Sequence, residues 1–434
     1  MDLMCWAATD NGRQRDHNED NFLLDRDLQV FMVADGMGGH AAGEIASLMA
    51  VQEIRNHLRA NSALLQGFEH GDPAVSPKQI LEIIEQGFQQ ACALICRRAQ
   101  AEPEKRGMGT TCSLLLIAGS PSASSAPRAF IGHVGDSRIY LVRGNETHQI
   151  TVDHSLINEL IRHGKVRREE IDSSPYRQYK NAVTRAVGVY ESVEAETFYC
   201  DVLPGDSFLL CSDGLHSYFS NEELASILSG EKVEHIPQKL IDKSNERGGH
   251  DNITAVCVRI PAKETAADAR TEELALTLEV LKAMPLFRHL SYRELVRVMN
   301  TAAIRQFSRG ERIFLEGDQG LEMFVILRGT VRLDKRDTFI ASLGKGSHFG
   351  EMALVDQDRR SLAATAEEPS LLLSISRKSF YEMVRKEPEL SVKLLWSFVQ
   401  VLAERLRKTT ADLSGARMAE YAEDMSDQVL FDES

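Results

Sequence analysis

The stretch VFMVADGMGGHAAGE, Val30 to Glu44, constrains the fold more than any other part of the chain. A short apolar run of this kind reads as a buried strand. It stops at Asp35, and Gly36, Gly38, Gly39 and Gly43 follow within the next nine residues. Asp-Gly is the commonest short turn signal, so a tight turn is one reading. The other is that something comes close to the backbone here and that the carboxylate points at it. The stretch alone leaves both open.

The rest of the chain sets the frame. Its 434 residues predict two or three domains. A net charge of −14 argues against a nucleic-acid footprint, which needs a basic face. No apolar run reaches the ~18 residues of a membrane span. The first twenty residues lack a basic stretch followed by an apolar core, so they do not read as a secretory signal. Seven scattered cysteines predict reduced thiols in a cytoplasmic protein; Cys92 and Cys96 lie one helical turn apart without a second pair to build a zinc site.

Up to about Pro261, strand-like runs (TCSLLLIAG, RAFIGHVG, SRIYLVRG, DSFLLCSDG, NITAVCVRI) alternate with two helical patterns, HAAGEIASLMAVQEIRNHLRA and QILEIIEQGFQQACALICRRA. SPSASSAPR reads as a solvated loop, and PAKETAADARTEE as a linker. A helix near Glu273 to Lys282 follows, then a strand-rich stretch from about Ile304 to Ser376, then the long helix EPELSVKLLWSFVQVLAERLRKTT and an acidic tail. The expected organisation is a domain over 1–262, a linker and helix over 263–280, a second domain over 281–410 and a tail over 411–434. No coiled-coil stretch of useful length stands out.

Further acidic signatures accompany Asp35: Glu19 and Asp20 in GRQRDHNED, Asp136 in GDSR, Asp213 in CSDGL and Asp251 in GGHDNIT. Asp213 repeats the context of Asp35, a strand ending in Asp-Gly. Asp251 stands just before a strand. Carboxylates at strand ends can converge above one sheet edge. One alone is an ordinary turn or cap residue; four or five together are hard to explain that way. Clustered carboxylates raise each other's pKa unless a cation compensates. Hard oxygen donors without imidazole or thiolate suit Mg²⁺ or Mn²⁺ rather than Zn²⁺. Arg15 offers a planar fork for phosphate oxygens.

These residues reach a family. The first 260 or so resemble the metal-dependent protein phosphatases (PPM, type 2C) in their bacterial form. The motifs GRQRDHNED, VADGMGGHAAGE, GMGTTCSLLL, HVGDSRIYL, TVDHSLINEL, VTRAVG, LLCSDGL and HDNITAV stand in the family's order. The resemblance implies an α+β fold: an α-β-β-α sandwich of two antiparallel sheets with flanking helices and a dinuclear metal site at one end. It implies that Asp35 bridges two metals, that Gly36 offers its carbonyl, that Asp213 and Asp251 complete the pair, and that Glu19 and Asp20 hold a metal or its waters. Asp136 matches a position for a third, weaker ion, and Arg15 the phosphate-binding arginine. His40 is the expected general acid. Asp153 to Val189 matches the flap beside the site. The implied reaction is hydrolysis of phosphoserine or phosphothreonine in proteins by water activated at the metal pair.

GSHFGEMALVDQDRRSLAA raises a similar question in the second half. A glycine before a helical turn exposes N–H groups that favour an anion. Arg360 can return to that anion, with Glu351 taking a hydroxyl of the same ligand; a plain Glu351–Arg360 ion pair is the other reading. From about Leu281 to Lys408 the chain resembles the cyclic nucleotide-binding domains, a β-roll with flanking helices. On that pattern Glu351 takes the ribose 2′-hydroxyl, Arg360 the cyclic phosphate, and Ser361 with the N–H groups near Gly350 adds hydrogen bonds. Arg359 stands where a proline is common, and Met352 where Leu or Ile is. The implied regulatory ligand is cAMP or cGMP. The combined expectation is a protein serine/threonine phosphatase regulated by a cyclic nucleotide. Its alternative is a catalytically dead phosphatase fold acting as a nucleotide-sensing module. No nucleic-acid or membrane partner is expected, and the oligomeric state is open.

Overall fold

The computed structural model describes residues 2–38, 42–119, 127–262, 269–355 and 358–431. They form two compact units, Met1–Ala266 and Ala267–Ser434.

In the first unit the strands are β1 (Met4–Asp10), β2 (Asp20–Asp25), β3 (Val30–Met37), β4 (Gly109–Thr110), β5 (Cys112–Ala118), β6 (Arg128–Val134), β7 (Arg138–Arg143), β8 (Glu146–Gln149), β9 (Glu196–Asp201), β10 (Ser207–Cys211) and β11 (Ile253–Arg259). Two antiparallel sheets result, with orders β1-β11-β10-β7-β8 and β2-β3-β5-β6-β9; β4 adds to the end of β3. On β3, Val30, Met32 and Ala34 pack against helices α1 (Ala42–Ala60) and α3 (Pro77–Ala101), with α2 (Ser62–Glu69) between them in the chain. On the other sheet Tyr140, Leu209 and Cys257 pack against later helices that carry Leu224, Leu228 and Leu240. The alternate residues, Phe31, Val33, Leu115 and Ile131 on one sheet and Leu141, Phe208, Leu210 and Val256 on the other, are also fully buried. A period of two turns them to the opposite faces, so they fill the space between the sheets. Each such side chain contributes about 1.5–3 kcal/mol relative to exposure. The layer order is α-β-β-α, as the resemblance implied.

The local signals explain the long helices. In α3, Pro77 sits at the first turn, Ser76 and Gln79 form a capping box, and Ile80, Ile84, Phe88, Ala91 and Ile95 repeat at helical spacing on the buried face. The expected flap holds α4 (Leu156–Arg162) and two 3₁₀ turns, Arg168–Ser173 and Pro175–Tyr179. The remaining helices of this unit are α5 (Asp213–His216), α6 (Asn221–Gly230) and α7 (Ile236–Glu246). Most of the SPSASSAPR loop, residues 120–126, lies outside the described residues.

The second unit begins with α8 (Ala269–Ala283), which starts before the Glu273 expected from sequence, and α9 (Tyr292–Thr301). Strands β12 (Ala302–Phe307), β13 (Arg312–Phe314), β14 (Glu322–Arg328), β15 (Val331–Lys335), β16 (Thr338–Leu343), β17 (His348–Phe349), β18 (Ala363–Ala366) and β19 (Ser370–Ser376) form two antiparallel sheets, β12-β19-β14-β17 and β13-β18-β15-β16. Phe324, Ile326, Val331 and Leu372 fill the roll between them. A short turn α10 (Met352–Val355) follows β17, and α11 (Arg377–Lys386) and α12 (Pro388–Phe431) close the chain. Helix α12 runs 44 residues, through the segment read from sequence as an acidic tail.

Candidate active site

The acidic residues come from separate stretches and gather at one end of the two sheets of the first unit. Asp20 opens β2 and pairs in register with Asp35 on β3. Asp136 lies in the turn between β6 and β7, Asp213 opens α5 directly after β10, and Asp251 stands two residues before β11. The backbone of Asp35 is pinned by the GTT segment. Its N–H donates to Thr111 Oγ1 at 3.0 Å, and its carbonyl accepts from Thr111 N and Thr110 Oγ1, both at 2.8 Å. Gly36 is required where it is: a Cβ there would lie 2.1 Å from the Gly43 carbonyl oxygen and 2.6 Å from that of Glu19. Gly36 and Gly43 thus answer to a close crossing of backbone at the start of α1, where Glu19 accepts a hydrogen bond from the Gly43 N–H.

Asp20 is held below this edge. Its Oδ2 accepts from Thr254 Oγ1 at 2.6 Å and Ser212 Oγ at 2.7 Å, while its Oδ1 is buried without a hydrogen bond. The Asp35 and Asp213 side chains lie within hydrogen-bond reach of each other. Arg15, with half its side chain exposed, donates to Asp251 Oδ2 at 2.8 Å. Asp136, Asp213 and Asp251 line one cavity of about 390 Å³ together with Lys180, His216 and His250.

The electrostatics follow from this crowding. Burial, then repulsion from Asp20, Asp213, Asp136 and Asp251, pushes the Asp35 carboxyl well above the usual range. Burial and the nearby Asp213 raise Asp136 to about 7. Burial raises Asp20 to about 7 against the pull of its two hydroxyl donors. Asp213 and Glu19 are raised too, chiefly by burial. His216 is forced neutral: burial drops it to about 3, and its Nε2 donates to the Asp136 carbonyl at 3.0 Å. A protein that buries this many carboxyls in contact stores repulsion that a cation would relieve.

In the second unit a separate cavity of about 490 Å³ brings together Gly350, Glu351, Met352, Arg360 and Ser361, against Leu333 and Leu343 of the roll. Gly350 has a φ of +72°, and a Cβ there would lie 2.4 Å from Arg360 Nη1. Arg360 stacks on Phe314, 4.1 Å from the ring centre, and donates to the carbonyls of Glu322 at 2.7 Å and Gly350 at 3.3 Å. Glu351 is buried.

Comparison with known proteins decides the family. The profile described as Protein phosphatase 2C matches residues 9–248, more than half of the chain.

The chain belongs to the protein phosphatase 2C family. It is 36% identical over 265 residues to the serine/threonine phosphatase stp of Listeria monocytogenes, covering 60% of this chain and 97% of that one. It is 34% identical over 259 residues to the protein phosphatase PhpP of Streptococcus pneumoniae, covering 58% and 94%. Among solved structures, the Mycobacterium tuberculosis serine/threonine phosphatase PstP/Ppp matches with a TM-score of 0.51 and 31% identity, over 60% of this chain and 99% of that one. The profile described as Cyclic nucleotide-binding domain matches residues 304–387. The enzyme is therefore a protein serine/threonine phosphatase joined to a cyclic nucleotide-binding domain.

The donor set of the phosphatase unit fits a hard divalent cation. All its side-chain donors are carboxylate oxygens, and the buried Oδ1 of Asp20 has no hydrogen bond. Among the described residues no group of three or more His, Cys, Asp or Glu side chains holds an ion position by itself. His40, the expected proton donor of the phosphatase, lies outside the described residues. His133 and His154 are structural: His133 bonds Ser113 Oγ and the Val152 carbonyl, and His154 Nδ1 accepts from Gly135 N. Sequence reasoning missed Thr111, Ser212 and Thr254, which hold Asp35 and Asp20, and Lys180, His216 and His250, which line the cavity. His250 adjoins Asp251 in GGHDNIT, and His216 stands three residues past Asp213.

Proposed function

We propose that this phosphatase hydrolyses phosphoserine and phosphothreonine in proteins at the carboxylate cluster of its first unit, under control of a cyclic nucleotide held by the second. The observation that carries the catalytic half is the convergence of Asp35, Asp136, Asp213 and Asp251, from four separate segments, into one repulsive cluster. Asp35, Asp213 and Asp251 are the proposed ligands of two Mn²⁺ or Mg²⁺ ions. The Gly36 carbonyl, Glu19 and Asp20 support them, and Asp136 with Asp213 takes a third. Bound there, such ions would supply charge neutralisation and an activated water.

The chain's own residues supply the rest. Arg15 uses one nitrogen on Asp251 and keeps the rest of its fork for the non-bridging oxygens of the phosphoryl group. The salt bridge sets the guanidinium beside the carboxylates before substrate arrives, which removes part of the ordering cost. Lys180, on the flap side of the cavity, adds a second positive charge for an anionic substrate. Asp20 and its hydroxyl donors hold β2 against β10 and β11 beneath the reacting edge. His40 is the proposed donor of a proton to the leaving alkoxide.

Regulation is supported by what Arg360 does. A cyclic phosphate at its guanidinium competes with the carbonyls of Gly350 and Glu322. Glu322 pairs in register with Ser376, whose side chain caps α11. A ligand that reorients Arg360 thus acts on the strand that carries the terminal helices, and gains differential affinity for two states. Seven free, buried cysteines support a reducing, cytoplasmic setting. The alternative of a dead fold is disfavoured because every implied carboxylate is retained.

The test is Mn²⁺-dependent hydrolysis of a phosphoserine peptide and of an aryl phosphate, with and without cAMP or cGMP. Arg360→Glu should abolish the nucleotide response and leave basal aryl phosphate turnover intact. No turnover at any Mn²⁺ concentration refutes the catalytic half. Turnover indifferent to both nucleotides refutes the regulatory half.

A further inference from the structure

A second cavity of the same unit, about 730 Å³, adjoins the one that holds Glu351. Arg305 of β12, Phe314 of β13, Phe324 of β14 and the first turn of α11, with Arg377 and Lys378, line it. Arg360 and Phe314 line both cavities. The volume falls in the range of about 300–1,000 Å³ usual for small-molecule clefts.

The charge of this cavity is out of balance. Arg305, Arg360, Arg377 and Lys378 line it against only two carboxylates, Asp318 and Glu322. Glu322 is taken by Arg305, 2.6 Å away. Asp318 Oδ2 accepts from the Leu315 N–H at 2.8 Å. Two cations are left in excess, in a chain whose net charge is −14. Two of the four also stand where a helix disfavours them. The first turn of α11 carries Arg377 and Lys378 and no acidic residue, yet the positive end of the helix dipole lies there and stabilises anions. Burial pulls the Arg360 guanidinium below its ordinary pKa, and its Nε is buried without a hydrogen bond. Cations gathered this way repel one another, and a bound anion relieves the repulsion. Arginine forks suit the oxygens of a phosphate.

The rest of the lining is apolar. Ile313, Phe314, Phe324 and Leu321 belong to it, and so does Tyr381, over whose ring the Arg377 guanidinium lies at 5.4 Å. Leu321 is 53% exposed and Tyr381 38%. Inorganic phosphate alone would leave these apolar groups wet, and a hydrocarbon would leave the cations unneutralised. A ligand with a charged head and a flat apolar body satisfies both.

We propose that this cavity is a second ligand site of the unit, for an organic phosphomonoester with a flat aromatic body, of mononucleotide size. Its phosphate meets Arg305, Arg377 and Lys378, and its ring lies against Leu321 and Tyr381. The site uses neither the carboxylate cluster nor Glu351, so it stands apart from catalysis and from the cyclic nucleotide cavity.

The probe is 5′-AMP, titrated by calorimetry into the full chain in EDTA, which keeps metal-dependent hydrolysis of the probe silent. One equivalent should bind with a dissociation constant below about 1 mM. Adenosine lacks the phosphate and inorganic phosphate lacks the ring, and each should bind at least about 10-fold more weakly. The double variant Arg305→Gln with Lys378→Gln removes two phosphate contacts and should weaken AMP at least about 30-fold. Lys378→Arg should keep the affinity within about 3-fold. Arg360 stays unchanged in every variant because it lines both cavities. Circular dichroism and an unchanged Tm show that the variants fold. No heat of binding up to about 10 mM AMP, adenosine that binds as tightly as AMP, or AMP affinity that the double variant leaves unchanged would each overturn the proposal; the last result would put AMP in the cyclic nucleotide cavity or elsewhere.

Discussion

Replacing Asp136 by asparagine should stabilise the metal-free protein, by an amount that grows with pH. Its carboxyl stands at about 7 in the folded chain, against 3.8 ordinarily, because burial and the neighbouring Asp213 disfavour the anion. The unfolded chain therefore gives up this proton near pH 4 and the folded chain only near pH 7. Over that window the folded state binds more protons, so the carboxyl costs stability as pH rises. At about 1.4 kcal/mol per decade, the cost is close to zero at pH 3, about 1.5 kcal/mol at pH 5, and levels off at about 4 kcal/mol above pH 7. An amide escapes it, and the His216 hydrogen bond goes to the Asp136 backbone carbonyl, which the substitution leaves in place. With about 2 °C per kcal/mol for a unit of this size, Asp136→Asn should raise Tm in EDTA by about 8 °C at pH 8 and by about 3 °C at pH 5. Added Mn²⁺ should narrow or reverse the difference, because the wild-type carboxylate then has a partner. Differential scanning fluorimetry at several pH values reads all of this. A variant that is less stable than wild type at pH 8 without metal, or a difference that does not change between pH 3 and pH 8, would refute the electrostatic account of the cluster.

Two further substitutions probe the frame around the site. Gly36→Ala forces a Cβ to within 2.1 Å of the Gly43 carbonyl and 2.6 Å of that of Glu19. Both neighbours are backbone, so β3 or α1 must shift, and a loss of about 3 kcal/mol with a marked fall in turnover is expected; a change under about 0.5 kcal/mol in urea denaturation would contradict the packing. Asp206→Ala removes a buried carboxylate that accepts from Arg143 Nε at 2.9 Å, Arg143 Nη2 at 2.6 Å and Leu203 N at 2.7 Å. It removes the carboxylate that neutralises a largely buried Arg143 and should cost about 3–5 kcal/mol, seen as a lower urea midpoint at unchanged slope.

The sequence alone marked the longer strands and two long helices of the first unit and the acidic candidates, but not helices α4 to α7 or the run of α12 through the acidic tail. Unbroken apolar runs fixed the strands, because a strand buried on both faces cannot carry a polar residue cheaply. Glycine and aspartate marked their ends, and the ordered motifs named the acidic set. Tertiary structure decided what those residues do to one another. Asp20 and Asp35 become direct neighbours only through the β2–β3 register, and Asp136, Asp213 and Asp251 share a cavity only because two sheets end at the same place. The hydroxyls of Thr111, Ser212 and Thr254 carry no signal in one dimension, since serine and threonine at strand ends are ordinary. Helix α12 shows the same division: burial separates Leu390, Leu394 and Phe398, which pack in the core of the second unit, from Val392, Leu395 and Val399, which are exposed. Local patterns report a residue's own preference for water or backbone, whereas repulsion, close approach and vacant surface exist only between segments far apart in the chain.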